Sequence, residues 1–245
     1  MKIATTGFHD GELAVQRRAG VAEDAARLEG MLGPVRLDGA ARFLVQRDFA
    51  VITGRDAEGR LWTSPLRGEP GFLDATGSTL DVHSGLDQDD PLVGMPARQP
   101  VGLIVIDFSL RRRVRINGLL TAAGAGGFTV DVDQAFGNCP SYISPEPDMA
   151  DIATADTFFL GTVHPTRGAD TSHKGGPPGF LHQDDDTLWW ADLPGNNMFT
   201  SLGNLTVNPE AAILLAHPGT TLQLSGTATV EWVGTERRVR FRAVR

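Results

Sequence analysis

The sequence predicts a mainly β protein, built as two similar halves behind an N-terminal helical arm. Three observations predict it. The first is an echo: residues 63–73 read TSPLRGEPGFL and residues 171–181 read TSHKGGPPGFL, so Ser64 and Ser172 stand 108 positions apart (172 − 64), as do Phe72 and Phe180. The second is texture. Short runs rich in Val, Ile, Leu, Phe, Trp and Thr are broken by turn clusters, RDAEG (55–59), DATGS (74–78), HPTRG (164–168) and QDDD (183–186), as in antiparallel strands. The third is the stretch VAEDAARLEGML (21–32), whose Ala, Leu and Glu content favours a helix.

Taken in order, residues 1–40 form the arm, residues 41–145 the first half and residues 146–245 the second. At the same offset, FAVITG (49–54) meets TFFLGT (157–162), Thr79-Leu80 meets Thr187-Leu188, and RVRINGLLT (113–121) meets TLQLSGTAT (221–229). With one residue of slippage QPVGLIVIDF (99–108) meets NPEAAILLAH (208–217). Landmarks kept in one order at near-constant spacing indicate an internal repeat. RVRING alternates, which points Val114 and Ile116 inward and Arg113, Arg115 and Asn117 outward. AGAGG (123–127) follows a strand and opens no helix, so it is a hairpin turn rather than a dinucleotide loop. Each half also carries one short helical candidate. In the second it is NNMFTSLGNLTVN (196–208), where Met198, Leu202 and Leu205 share a face.

Composition narrows the function classes. The chain of 245 residues is 41% hydrophobic and 21% charged, ordinary for a globular protein. A net charge of −8 repels phosphate backbones, so nucleic acid is not an expected partner. The single cysteine, Cys139, cannot close an internal disulfide, which suits a reducing compartment. The opening MKIATTGFHDGELAVQ lacks the apolar core of a signal peptide, and no apolar run reaches membrane-spanning length. A soluble cytoplasmic protein with no membrane partner is the expectation.

The order of an apolar strand, a strand carrying SHKGG, the strand TLWWAD, a loop and helix, Asn-Pro and a further apolar strand resembles the pyridoxamine 5′-phosphate oxidase-like, FMN-binding split-barrel family. GLIVIDF, RRRVRING, DQAFGNCPSYI, RGADTSHKGGPPGF and PGNNMFTSLGNL are similar to a bacterial branch of that family, and the likeness runs from FHDGELAVQ to the end. It implies tandem FMN-binding split barrels, β-barrels with short helices, and FMN as cofactor. A dianionic phosphate wants a cation and several short donors. Lys174 offers the charge, and Ser172, two residues earlier, shares its strand face. Asn196, Asn197 and Met198, after Gly195, open the helical candidate where free N–H groups are available. The family's phosphate loop falls on this position. Gly175, Gly176 and Pro178 lack the bulk that would keep a flat ring away. Trp189 and Trp190 alternate, so one of them, Trp190 in this assignment, lies near the ring. The resemblance adds Gln223, two before the strand glycine, and Arg113 and Arg115 in the first half.

Plainer roles stay open for each: a solvated lysine, asparagines that only cap a helix, core tryptophans, and an Arg111–Arg113 edge that keeps strands from pairing. Cys139 follows the helix-like QAFG, a position that in one reading sets its thiol near a ring edge, while a buried, inert thiol is the plainer reading. His164, His173 and His182 fall on different strands, and Asp170, Ser172 and His173 lack triad geometry because strand neighbours point apart. The halves differ where it matters: against Ser172-His173-Lys174 the first half has Ser64-Pro65-Leu66, and against GNNMF it has LDQDDPLVGM, whose Asp87, Asp89 and Asp90 repel phosphate. One FMN per chain, hosted by the second half, is the expectation. The reading is an FMN-dependent oxidoreductase acting on an unidentified small molecule or electron donor, with catalytic residues unassigned. The alternatives are a non-catalytic flavin carrier or sensor, or a deazaflavin- or haem-binding barrel with His173 or His217 as axial ligand. Whole chains pairing as homodimers is left open.

Overall fold

The computed structural model describes residues 7–32 and 37–244, so parts of the arm (1–6 and 33–36) and Arg245 lie outside the described residues. The chain is mainly β. β1 (Phe49–Arg55), β2 (Leu61–Arg67), β3 (Leu73–Thr76), β4 (Thr79–Val82), β5 (Pro100–Asp107), β6 (Arg112–Gly124) and β7 (Gly127–Gly137) form one antiparallel sheet in the order β2-β1-β5-β6-β7-β4-β3. β8 (Thr157–His164), β9 (Gly168–Gly175), β10 (His182–Asp184), β11 (Thr187–Ala191), β12 (Glu210–His217), β13 (Thr220–Val233) and β14 (Glu236–Ala243) form the other, in the order β9-β8-β12-β13-β14-β11-β10. The two orders are the same when each strand is advanced by seven. Residues 108 apart fall on corresponding strands: Ser64 on β2 and Ser172 on β9, Arg115 on β6 and Gln223 on β13.

Helices are few and short among the described residues. The stretch 21–32 does not make one helix. It gives α2 (Ala22–Ala26) and a 3₁₀ turn (Glu29–Leu32), while the arm's longest helix is α1 (Asp10–Arg18), followed by α3 (Asp38–Leu44). α1 starts at His9, whose Nδ1 accepts from Gly11 N–H while the Glu12 carboxylate accepts from His9 N–H, a capping box with an imidazole as cap. In the second half α4 (Thr200–Val207) opens four residues later than expected, after Phe199 in a left-handed conformation (φ 59°). The corresponding stretch of the first half forms turns and no helix. QAFG belongs to strand β7 rather than to a helix, and the β6–β7 hairpin turns within AGAGG as expected.

The halves pack face to face, which overturns one expectation of the alternation. Arg115 and Asn117 are not solvent-facing; they are buried (8% and 5% exposed) because β6 crosses β9 of the other half. Phe49, Val51, Ile104 and Ile106 of the first sheet join Phe158, Leu160, Ile213 and Phe241 of the second in one apolar cluster, so the second core is completed by the first half. Small groups allow this approach: a Cβ on Gly102 would stand 2.6 Å from the Asp170 Cα. At the crossing the Thr171 hydroxyl donates to the Gly102 carbonyl (2.7 Å) and lies 2.7 Å from the Thr53 hydroxyl, itself 3.0 Å from that of Thr63. A bidentate Arg55–Glu210 pair (3.0 and 2.6 Å) also ties the halves, though partly exposed pairs contribute at most about 1 kcal/mol. Among the described residues no helix is long and apolar enough to cross a membrane.

Candidate functional site

A cleft of about 110 Å³ opens between the two halves. Its walls are Arg113 and Arg115 of β6, the segment Asn138–Tyr142, the end of β9 (His173, Lys174, Gly175), Trp190 with the loop Ala191–Asn197, and the first turn of α4. β9 is an edge strand, so the cleft wraps round it and meets His173 as well as Lys174, although the two point to opposite faces.

Three cations line the cleft, and their pairing differs. Arg115 is bonded to Asp170 at 3.1 and 3.3 Å, and the Asp170 side chain is 1% exposed. Asp170 also accepts from Asn117 Nδ2 and Ser201 Oγ, both at 3.3 Å. Lys174 stands 3.6 Å from Asp192, a carboxylate it shares with Arg237 at 2.9 Å. Burial lowers the Lys174 pKa, and the charge of Asp192 opposes this. Arg113 is different. Its guanidinium donates to His173 Nδ1 (2.6 Å) and the Cys139 carbonyl (2.9 Å), Nε has no partner, and no carboxylate pairs with it among the described residues. Burial, and then the charge of Arg115, bring its pKa down to about 10, which still leaves it charged at neutral pH.

Donors are left over around this cation. Because Arg113 donates to Nδ1 of His173, the proton of the imidazole sits on Nε2, which is buried without a partner. Burial and then the charge of Arg113 hold His173 well below the usual imidazole range, so it stays neutral. Trp190 is 1% exposed, packs edge-on against Phe158 (4.9 Å) and leaves Nε1–H unpartnered. α4 has no side-chain cap, and its first three residues, Thr200, Ser201 and Leu202, line the cleft at the positive end of the helix dipole. The arrangement is that of an anion site with hydrogen-bond donors and excess positive charge.

Of the residues expected at a cofactor, Arg113, Arg115, Lys174, Gly175, Trp190, Asn196 and Asn197 line the cleft. Gly175 is needed there, because any Cβ would collide with the Tyr142 carbonyl. Ser172, Gly176, Pro178, Met198 and Gln223 lie outside the lining. The Ser172 hydroxyl is fully buried, donating to the Leu160 carbonyl (3.3 Å) and accepting from Ser201 Oγ (3.0 Å). Met198 joins Phe8, Ala25 and Phe136 in a small core under the arm. Asn196 does not open the helix; its Oδ1 accepts from Met198 N–H at 3.2 Å in the preceding turn. Cys139 is not buried: its exposed thiol lies on the cleft, 3.0 Å from the Ser141 hydroxyl. Hydrogen bonds from Ser141, aided by the charges of Arg113 and Arg111, lower its pKa. The lining also includes Asp192, which the sequence reading did not single out. Of the axial-ligand candidates, His173 lines the cleft and His217 is exposed at the end of β12.

Gln223 lies instead at the corresponding place of the other half. Its Nε2 is 2.9 Å from Ser64 Oγ and 3.1 Å from Asp90 Oδ2, while Asp90 Oδ1 accepts from Ser64 Oγ (2.7 Å) and Leu92 N–H (2.8 Å). Here a carboxylate of the chain itself takes the donors, and the neighbours Pro65 and Leu66 bring no charge. Arg67 turns away, donating to the Ala216 carbonyl (3.3 Å) over the Phe49 ring. Comparison of the chain with protein-family models, curated proteins and solved structures found no match.

Proposed function

We propose that the chain is an FMN-binding flavoprotein of the pyridoxamine 5′-phosphate oxidase-like split-barrel kind, holding one FMN in the cleft between its halves and acting as an oxidoreductase. The observation that carries the reading is the half-buried Arg113 guanidinium, charged, without a carboxylate partner among the described residues and beside the uncapped start of α4. An unpaired buried cation is expensive unless an anion completes it, and a phosphate monoester dianion supplies both charge and acceptors. The residues present fit FMN on that ground, and the unpartnered Trp190 Nε1–H and His173 Nε2–H offer donors to its further acceptors.

In this reading Arg113 is the primary phosphate ligand, with the α4 amides and Asn196 and Asn197 around it. Lys174, already shared with Asp192, supplies field rather than a direct pair. Arg115 holds Asp170 and thereby the crossing of the halves. Gly175 lets ligand and backbone approach closely. Bound FMN supplies hydride or single-electron transfer to or from a small molecule; the chain binds, orients and sets solvent access. Both walls of the cleft come from one chain, so one chain suffices.

The test is a spectrum of the purified protein and an FMN titration, followed by addition of reduced nicotinamide. A yellow protein bleached by the nicotinamide supports the oxidoreductase. A yellow protein that stays oxidised with it supports a flavin carrier or sensor. A colourless protein that takes up no FMN refutes the reading.

A further inference from the structure

The N-terminal arm places a carboxyl behind the floor of the cleft. Glu12, in the first turn of α1, is only 4% exposed. α1 and α4 touch backbone to backbone there: a Cβ on Gly203 would stand 2.6 Å from the Glu12 nitrogen. The carboxylate accepts from His9 N–H (2.9 Å) and from the Thr200 hydroxyl. Thr200 is the first residue of α4 and lines the cleft. It also lines a second cavity of about 20 Å³ on the arm side, together with Glu12, Asn117, Asp170 and Asn204. A polar cavity of that size holds one water, and Asn117 Oδ1 is buried there without a partner.

The charged and titratable neighbours are few. His9 lies on the same element, its Nε2 3.5 Å from the carboxylate, with Asp10 beside it; Asp170 and Arg167 face it from the second half, and the tilted His164 ring lies 4.3 Å from that of His9. Burial foremost, with the His164 charge next, holds His9 near 4, so it is neutral above pH 6. Burial first, and the charge of Asp170 in the same sense, push Glu12 up to about 7, against the hydrogen bonds from His9 and Thr200 and the charge of Arg167.

We infer that Glu12 is proton-coupled to the anion of the cleft: when a phosphate dianion settles against the first turn of α4, Glu12 takes up a proton. A carboxylate one hydroxyl away from the incoming charge repels it, and protonation relieves the repulsion. The inference rests on the reading of the cleft as an anion site. Because Glu12 is raised to about 7, a further rise on binding means uptake of a fraction of a proton per ligand near pH 7.5, and affinity that falls severalfold between pH 7 and pH 9, by less than tenfold for each unit of rise.

The experiment is isothermal titration calorimetry of the full chain with FMN, and separately with inorganic phosphate, in buffers of different ionisation enthalpy. Glu12→Gln keeps the capping box, since glutamine fills the same position, so the fold is preserved. The ligand's own ionisation is common to both proteins and cancels in the difference. Expected is greater proton uptake by the parent than by the variant, the difference being the share of Glu12, and a variant affinity that is flat between pH 7 and pH 9 apart from the ligand term. Equal proton uptake by parent and variant overturns the inference while leaving FMN binding intact. Phosphate binding with the predicted uptake but no FMN binding keeps the inference and removes the flavin reading. No binding of either ligand overturns both.

Discussion

Replacing Arg113 and Arg115 by methionine, one at a time, separates a ligand-binding cation from a structural one. Methionine keeps most of the apolar stem and removes the charge. Arg113 makes two hydrogen bonds, to His173 Nδ1 and the Cys139 carbonyl, each contributing about 1 kcal/mol. Removing it also removes the penalty of a half-buried cation that no carboxylate offsets among the described residues. These effects oppose each other, so the ligand-free protein should change by no more than about 1 kcal/mol, or roughly 2–4 °C in melting temperature. Arg115→Met instead leaves Asp170, 1% exposed, as a buried carboxylate without its cation. That should cost about 3–5 kcal/mol, or roughly 6–20 °C. Binding inverts the order of blame. Loss of a charge-assisted contact of about 1.5–3 kcal/mol weakens FMN binding by roughly 10- to 150-fold in Arg113→Met. The assays are thermal melts without ligand and fluorescence titration with FMN. An Arg113→Met protein that binds FMN as the parent does, or melts as low as Arg115→Met, would refute the reasoning.

Three further outcomes follow from the same geometry. Gly102→Val places a side chain where the Asp170 backbone lies, its Cβ 2.6 Å from the Asp170 Cα, so the halves must part; a loss of at least 3 kcal/mol is expected in urea unfolding, on the order of other backbone collisions. The pH dependence of stability carries opposite signs from two arm residues. Glu12, raised to about 7 from 4.5, contributes stability that is present below pH 4.5 and lost as pH rises through 7. His9, lowered from 6.5 to about 4, contributes stability that is present above pH 6.5 and lost as pH falls through 4. The lowered imidazoles of His9, His164 and His173 titrate alike in parent and variant, so the stability of the parent relative to Glu12→Gln should fall between pH 6.5 and 7.5, as the difference between their urea midpoints will show. Finally, the exposed Cys139 thiol on the cleft should be alkylated by iodoacetamide more slowly when FMN is present, and mass spectrometry that finds equal rates would place the ligand elsewhere.

Much of the fold was legible because β structure writes itself locally. The strand at 113–121, the turn clusters and the 108-residue offset all survive into the strands and their order, while the inside-outside alternation does not. The arm was less legible for a specific reason. α1 is capped by His9, which lies outside the usual Ser, Thr, Asp and Asn caps, whereas the stretch at 21–32 has good helix formers but no side-chain cap, and its helix stops at Ala26. In the cleft, residue types were readable and their pairing was not. Lys174 stood out by its difference from Leu66, yet Asp192, shared with Arg237 from a distant strand, already occupies it. Arg113 looked like a solvated edge because one strand does not reveal what crosses it. Cys139 was read as buried because free cysteines usually are; QAFG, as the end of β7 rather than a helix, delivers its exposed thiol to the cleft.

The shared core has a practical corollary for anyone dissecting this chain. Phe49, Val51, Ile104 and Ile106 complete the apolar interior around Phe158 and Phe241, so a polypeptide cut in the connection between residues 137 and 157 gives a second piece whose core lacks these four side chains and a first piece that exposes them while keeping its own core around Ile52, Leu103 and Ile116. The second piece is not a truncation product worth crystallising alone. Together they are complementary fragments: mixed, they should find one another and restore the cleft only as a pair, so that its anion site becomes a reporter of their reunion.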